Sequence, residues 1–116
     1  MNVPPAYLVG TGGIVGAILR HLVGLAVTDE RLPLGTLTVN IIGSFALGLF
    51  TFLSLGDDIL LLLGTGACGS FTTFSSFAVD TVELWEDSRP RVAAGYAAAN
   101  IVGALLAISI AYVLTL

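Results

Sequence analysis

The stretch Gly64-Thr65-Gly66-Ala67-Cys68-Gly69-Ser70-Phe71-Thr72-Thr73-Phe74-Ser75-Ser76-Phe77 lies within a longer run, residues 59–79, that carries no acidic or basic side chain. An uncharged run of this length can cross a hydrocarbon layer of about 30 Å at about 1.5 Å of helix rise per residue. Yet glycines and hydroxyl residues, which disfavour helix, crowd its middle. The pattern predicts a membrane helix broken near the bilayer midplane. Non-helical backbone survives at that depth only where protein or a water-filled cavity covers it, so a break points to an ion or substrate site. Carbonyls released by a break are hard oxygen ligands suited to an alkali cation. The alternative is an unbroken helix whose glycines serve close packing.

Working outward, residues 32–56 and 92–116 are also free of charge, and residues 6–27 are interrupted only by Arg20 and His21 near one end. Four membrane helices follow, at about 6–27, 34–55, 59–79 and 92–116, with the third one broken. Composition agrees: 56% of the 116 residues are hydrophobic, 10% are charged and mean hydropathy is +1.00, against the roughly 25% charge of soluble domains. The connections at 28–33, 57–58 and 80–91 are too short to fold alone, so residues 1–116 are expected to form a single four-helix transmembrane channel domain. Residues 1–5 lack the basic flank of a signal peptide, and the first helix is expected to remain in the mature protein. Four helices alone do not enclose a water-filled path, which calls for at least two copies. The expected location is the cell membrane, as a multi-pass protein.

The polar residues within the spans are few and patterned. Gly12 and Gly16 share one face of the first helix, where small residues let helix backbones approach. Arg20 is costly inside a span; it either snorkels to the interface or faces a cavity. Thr36, Asn40, Ser44 and Gly48 draw a polar-to-small stripe down the second helix, on a face that should avoid lipid. Asn40 is either interhelical glue or pore lining. Phe74 and Phe77 share a face and read as core packing or as ring edges that meet an anion, since a phenyl edge carries positive partial charge. Gly95, Ala99, Gly103, Ala107 and Ala111 form a smooth seam on the fourth helix, bordered by Tyr96 and Asn100. Asn100 can bond across that seam or face a path. Tyr7 and Trp85 belong at the interfaces, and the lone Cys68 reads as small apolar filler.

Absences narrow the function. No Asp or Glu occupies the interior of a span, no metal-ligand cluster occurs, and the single His has no partner base or nucleophile. Enzymatic chemistry is not expected. A proton-coupled carrier would need a buried carboxylate that is missing from the sequence.

The string Gly69 to Phe77 resembles the signature of the Fluc/CrcB fluoride channels, a glycine followed by a Thr-Thr-Phe-Ser-Thr-Phe-like sequence. Gly12-Gly13 with Gly16-Ala17 and Arg20, Gly35-Thr36-Leu37 with Asn40 and Gly43, and Asn100 with Gly103 extend the resemblance through all four helices. It implies an all-α membrane protein working as an antiparallel dimer, a homodimer or a pair with a homologous subunit. Two fluoride pores would flank a structural sodium ion between crossed third-helix breaks. Carried over by motif, the carbonyls of Gly69 and Thr72 would hold sodium. Phe74 and Phe77 would present ring edges to fluoride, Asn40 would be the polar pore residue, Ser75 and Ser76 nearby hydroxyls, and Arg20 the arginine near the pore entrance. Ser70 stands where the family often has a second glycine and Ser76 where it usually has threonine.

The implied function is passive export of cytoplasmic fluoride by electrodiffusion, with fluoride and the lipid bilayer as partners and no nucleic acid. A small multidrug-type secondary transporter and a structural membrane subunit are the rival readings. Arg20, Arg31, Arg89 and Arg91 all lie toward the first and third connections. Positive-inside logic therefore places those connections in the cytoplasm and predicts a fixed orientation with a separate, oppositely inserted partner.

Overall fold

The computed structural model describes residues 2–116 and leaves Met1 outside. Its elements are α1 (Pro5–Ala26), α2 (Leu34–Phe52), α3 (residues 57–71), α4 (Phe74–Glu86) and α5 (Pro90–Leu114), with no strand among the described residues. Together α3 and α4 make up the third of four helices long and apolar enough to cross a membrane, Asp57–Glu86. The protein is an all-α, multi-pass membrane protein. Its outer faces carry exposed Ile14, Leu22, Leu105 and Ile110, which suit lipid rather than water.

Local chemistry sets the ends of these helices. Pro5 and Pro90 open α1 and α5, where a missing N–H costs nothing. The turn between α2 and α3 passes through Gly56 at φ 97°, a left-handed conformation that a side chain would strain. Asp57 and Asp58 then sit in the first turn of α3, against the positive end of its dipole. The third and fourth helices run past their charge-free limits, to Glu86 and from Pro90, so the connection between them shrinks to residues 87–89. The reason is amphipathicity beyond the apolar zone. Leu84 turns inward onto Ala93 and Tyr96, while Glu83, Trp85 and Glu86 face outward.

α1 and α3 meet backbone to backbone. A Cβ on Gly12 would fall on the Leu62 carbonyl, one on Gly16 would fall on the Ala67 carbonyl and the Ser70 hydroxyl, and one on Gly66 would stand 2.7 Å from the Val9 carbonyl oxygen. Residues 60–68 of α3 adopt the wider π-helical winding, with the Gly69 amide donating to the Gly64 carbonyl five residues back. Thus Gly64 and Gly66 remain helical. The break falls after them, at Thr72 (ψ 160°) and Thr73 (φ −149°, ψ 116°), where the backbone is extended before α4 begins. Both readings of this span hold in part: the helix is broken, and its glycines serve packing.

The small-residue seam of α5 divides in the same way. Ala107 and Ala111 are buried, Ala111 against Gly48 of α2, and Gly103 faces Ile41. Around Gly95 a Cβ would meet nothing within 4 Å. Near that end Ala93, Tyr96 and Asn100 take over as the buried face and turn the Asn100 amide toward α2 and the break.

Candidate functional site

A broken helix in a bilayer leaves amides and carbonyls that must find partners, since an unpaired one at that depth costs several kcal/mol. Here they are met chiefly by one side chain. Asn40 Oδ1 accepts from the Thr73 amide at 2.8 Å, and Asn40 Nδ2 donates to the Thr73 carbonyl at 3.1 Å. The same Nδ2 donates to Asn100 Oδ1 at 3.0 Å, and Asn100 Nδ2 in turn donates to the Tyr96 carbonyl at 3.0 Å. The Thr73 hydroxyl caps α4 by accepting from the Ser76 amide at 3.1 Å. With the Thr73 amide committed to Asn40, the Gly69 carbonyl loses the partner that a continuous helix would supply four residues on. The Thr72 carbonyl faces Arg20, whose Nη1 lies 3.5 Å away.

Two cavities open beside this knot. A vestibule of about 420 Å³ is bounded by Arg20, Thr36, Val39, Thr73, Ser76 and Asp80. A groove of about 310 Å³ is bounded by Asn40, Ser44, Thr73, Phe74, Phe77 and Asn100. Thr73 lines both, although only 8% of it is exposed, so it forms the wall where the two cavities meet. In the groove the Phe74 and Phe77 rings lie 5.5 Å apart with their planes at 58°. Phe77 also stacks on Tyr96 at 6.3 Å, whereas Phe74 is 79% exposed. In the vestibule the Tyr96 hydroxyl donates to Asp80 Oδ2 at 3.1 Å and restrains the only carboxylate that reaches in from α4.

The residues expected from sequence converge unevenly. Arg20, Asn40, Thr72, Phe74, Phe77, Ser76 and Asn100 gather around the break. Arg20 therefore lines a cavity and touches the break. Gly69 sits at the end of α3 just before the break, with its open side free. Ser75 is exposed, and its hydroxyl lies 3.4 Å from that of Thr73. Ser70 is helical and donates to the Gly13 carbonyl at 2.7 Å, adding a bond to the α1–α3 contact. Three participants escaped sequence reading: Thr73 as cap and shared wall, and the Tyr96–Asp80 pair. A hydroxyl residue just before a helical run is a start signal, so Thr73 could have been found. Among the described residues no group of three or more His, Cys, Asp or Glu side chains could hold a metal.

The sequence model of the "CrcB-like protein, Camphor Resistance (CrcB)" family matches residues 7–112, nearly the whole chain. The chain belongs to the CrcB-like family. Among its relatives, "Fluoride-specific ion channel FluC 2" of Haloarcula marismortui is 55% identical over 107 residues, covering 92% of this chain and 90% of the relative. "Fluoride-specific ion channel FluC 1" of Halobacterium salinarum is 51% identical over 111 residues, covering 96% and 93%. "Fluoride-specific ion channel FluC" of Mesorhizobium japonicum is 41% identical over 108 residues, with 87% of each covered. The match to the CrcB-like family includes every residue of the break, of its Asn40 and Asn100 partners and of the two cavities.

Proposed function

We propose that this chain forms a fluoride channel that exports fluoride from the cytoplasm by passive electrodiffusion. The observation that carries the proposal is the meeting of vestibule and groove at Thr73, beside a helix break, in a chain whose relatives are named fluoride-specific ion channels. Fluoride gives up its hydration only to dense donors. The path offers the Arg20 guanidinium and the Ser76 hydroxyl on one side of Thr73, then the Ser44 hydroxyl and the Phe74 and Phe77 rings on the other. Beyond the Arg20 guanidinium these groups are neutral, so an anion can pass them without being trapped, as conduction requires. The broken helix disfavours a purely structural subunit, and the carboxylates of the path, Asp29 and Asp80, line the vestibule and not the groove beyond Thr73, which disfavours a proton-coupled carrier.

Two further elements belong to this reading. In this reading the Gly69 and Thr72 carbonyls would hold a sodium ion, whose fixed charge would offset repulsion between anions. One chain supplies two such oxygens, fewer than an alkali cation surrounds itself with, so a second copy or a homologous subunit would complete the shell. An antiparallel partner would also cover the exposed Phe74 ring and close the groove. Growth of a fluoride-sensitive strain that lacks its own exporter tests the function: expression of this chain should restore growth in millimolar fluoride. Unchanged sensitivity despite membrane insertion would count against it.

A further inference from the structure

A serine or threonine in a membrane helix ordinarily returns its hydroxyl hydrogen to a carbonyl of the preceding turn, because no water is at hand to take it. Thr38, Thr51, Thr81 and Ser109 all do so, at 2.7–2.8 Å. Ser44 of α2 does not. It is half-buried, and its hydroxyl has no partner among the described residues. Yet no buried side-chain nitrogen or oxygen among those residues goes unpaired, so the Ser44 oxygen opens onto the groove that it lines. Two other hydroxyls line that groove. Thr72 donates to the Cys68 carbonyl at 3.0 Å, and Thr73 accepts from the Ser76 amide and lies 3.4 Å from the Ser75 hydroxyl. Of the three, Ser44 alone is without a bond in the chain.

Its place is as informative as its freedom. Ser44 follows Asn40 by four residues, about 6 Å along the axis of α2 at about 1.5 Å per residue. Asn40 bonds Asn100 and Ile41 faces Gly103, so α2 and α5 run in step and α5 brings Ala104 to the level of Ser44. The side chains of Leu47, Ile101 and Ala104, which share this part of the groove, carry no donor. A fluoride ion stripped of water in such surroundings is held by whatever donor faces it. A hydroxyl oriented by no other bond can turn its hydrogen to the ion without giving one up.

We infer that the Ser44 hydroxyl is a fluoride-binding station of the groove, one turn beyond Asn40. The inference rests on the channel reading and adds a binding position to that path. Conduction needs several weak sites in series rather than one tight one, and Ser44 supplies a site apart from the vestibule donors Arg20 and Ser76.

Removing this hydroxyl breaks no bond within the chain, so ion binding and folding can be read separately. Initial fluoride efflux from liposomes is measured over a range of loaded fluoride concentrations for wild type, Ser44→Ala, Ser44→Cys and Ser109→Ala, with thermal melting and size exclusion followed in parallel. Ser109 lies outside both cavities and serves as the control. Loss of one hydrogen bond to a charged group is an effect of about tenfold or more. The half-saturating fluoride concentration should therefore rise about tenfold in Ser44→Ala and several-fold in Ser44→Cys, whose thiol is a weak donor of similar shape. Melting and assembly should match wild type in both, and Ser109→Ala should match it throughout. Half-saturating concentrations within twofold of wild type in both Ser44 variants would overturn the inference. So would loss of assembly in both, which would make the hydroxyl a contact with a partner subunit. If Ser44→Ala alone fails to assemble, Ser44→Cys decides by the same criterion. A wild type that passes no fluoride refutes the channel reading and this inference together, whereas a conducting wild type with unchanged Ser44 variants refutes the inference alone.

Discussion

Replacing Thr73 by Val removes one oxygen and keeps shape and branching, and so isolates the hydroxyl that starts α4. In the structure that oxygen accepts from the Ser76 amide at 3.1 Å. Loss of a helix cap costs about 1 kcal/mol in water, with a range of about 0.5–2. Leaving an amide without a partner in a buried setting costs about 1–3 kcal/mol. Ser76 lines the vestibule, whose lining includes Arg20 and Asp80, so the lower half of that range applies and about 1.5–2 kcal/mol is a fair expectation. At 1.4 kcal/mol per factor of ten, the intact start of α4 is then disfavoured roughly ten- to thirtyfold relative to frayed forms. Because Thr73 walls both cavities, fraying there should reduce fluoride efflux several-fold, while the backbone bonds to Asn40 persist. Thr73→Ser, which keeps the hydroxyl, should stay within about twofold of wild type. The assay is efflux from proteoliposomes at matched protein density, with thermal stability followed in parallel. Wild-type efflux and stability in Thr73→Val would refute the role given to the cap.

Phe77→Ile and Phe74→Ile keep apolar bulk and remove the ring edge; both should assemble and lose most of their conduction, whereas wild-type rates measured by efflux would make the rings core packing only. Gly16→Val should disrupt assembly, because its side chain would strike the Ala67 carbonyl across the α1–α3 contact; overpacking of this kind costs about 1–3 kcal/mol or more, and size-exclusion profiles would report it. Asp29 accepts from the Arg31 and Leu32 amides at 2.8 and 3.1 Å, and these bonds hold its carboxyl below the ordinary range. A depressed acid contributes its stabilisation above its unfolded pKa and loses it as pH falls through the folded value. The first connection should therefore keep its turn through mildly acidic pH, and an NMR titration of Asp29 should show a midpoint below that of an unstructured aspartate; an ordinary midpoint would contradict the turn.

The spans were legible because the bilayer allows few solutions: a long uncharged run must be a helix. The broken third span was legible for the same reason, since glycine and hydroxyl residues at that depth had to serve either a break or a contact. The position of the break was not. There Asn40, thirty-three positions from Thr73 in sequence, reaches across to bond both of its backbone groups, a contact that no local pattern announces. Arg20 was readable as costly, but only the fold shows that it faces the Thr72 carbonyl. Residues 80–86 looked like a connection because of Asp80, Glu83 and Glu86, yet an inward Leu84 keeps them helical and brings Asp80 under the Tyr96 hydroxyl. Charge ended the apolar run there without ending the helix.

The central claim is that fluoride crosses through this chain unaided by protons or nucleotide. Purified protein in liposomes loaded with potassium fluoride, diluted into fluoride-free medium with valinomycin to carry potassium, tests it with a fluoride electrode. The account predicts rapid fluoride release that needs valinomycin, proceeds without a pH gradient and is far slower for chloride. Release no faster than from protein-free liposomes, or release that requires a proton gradient, would contradict it.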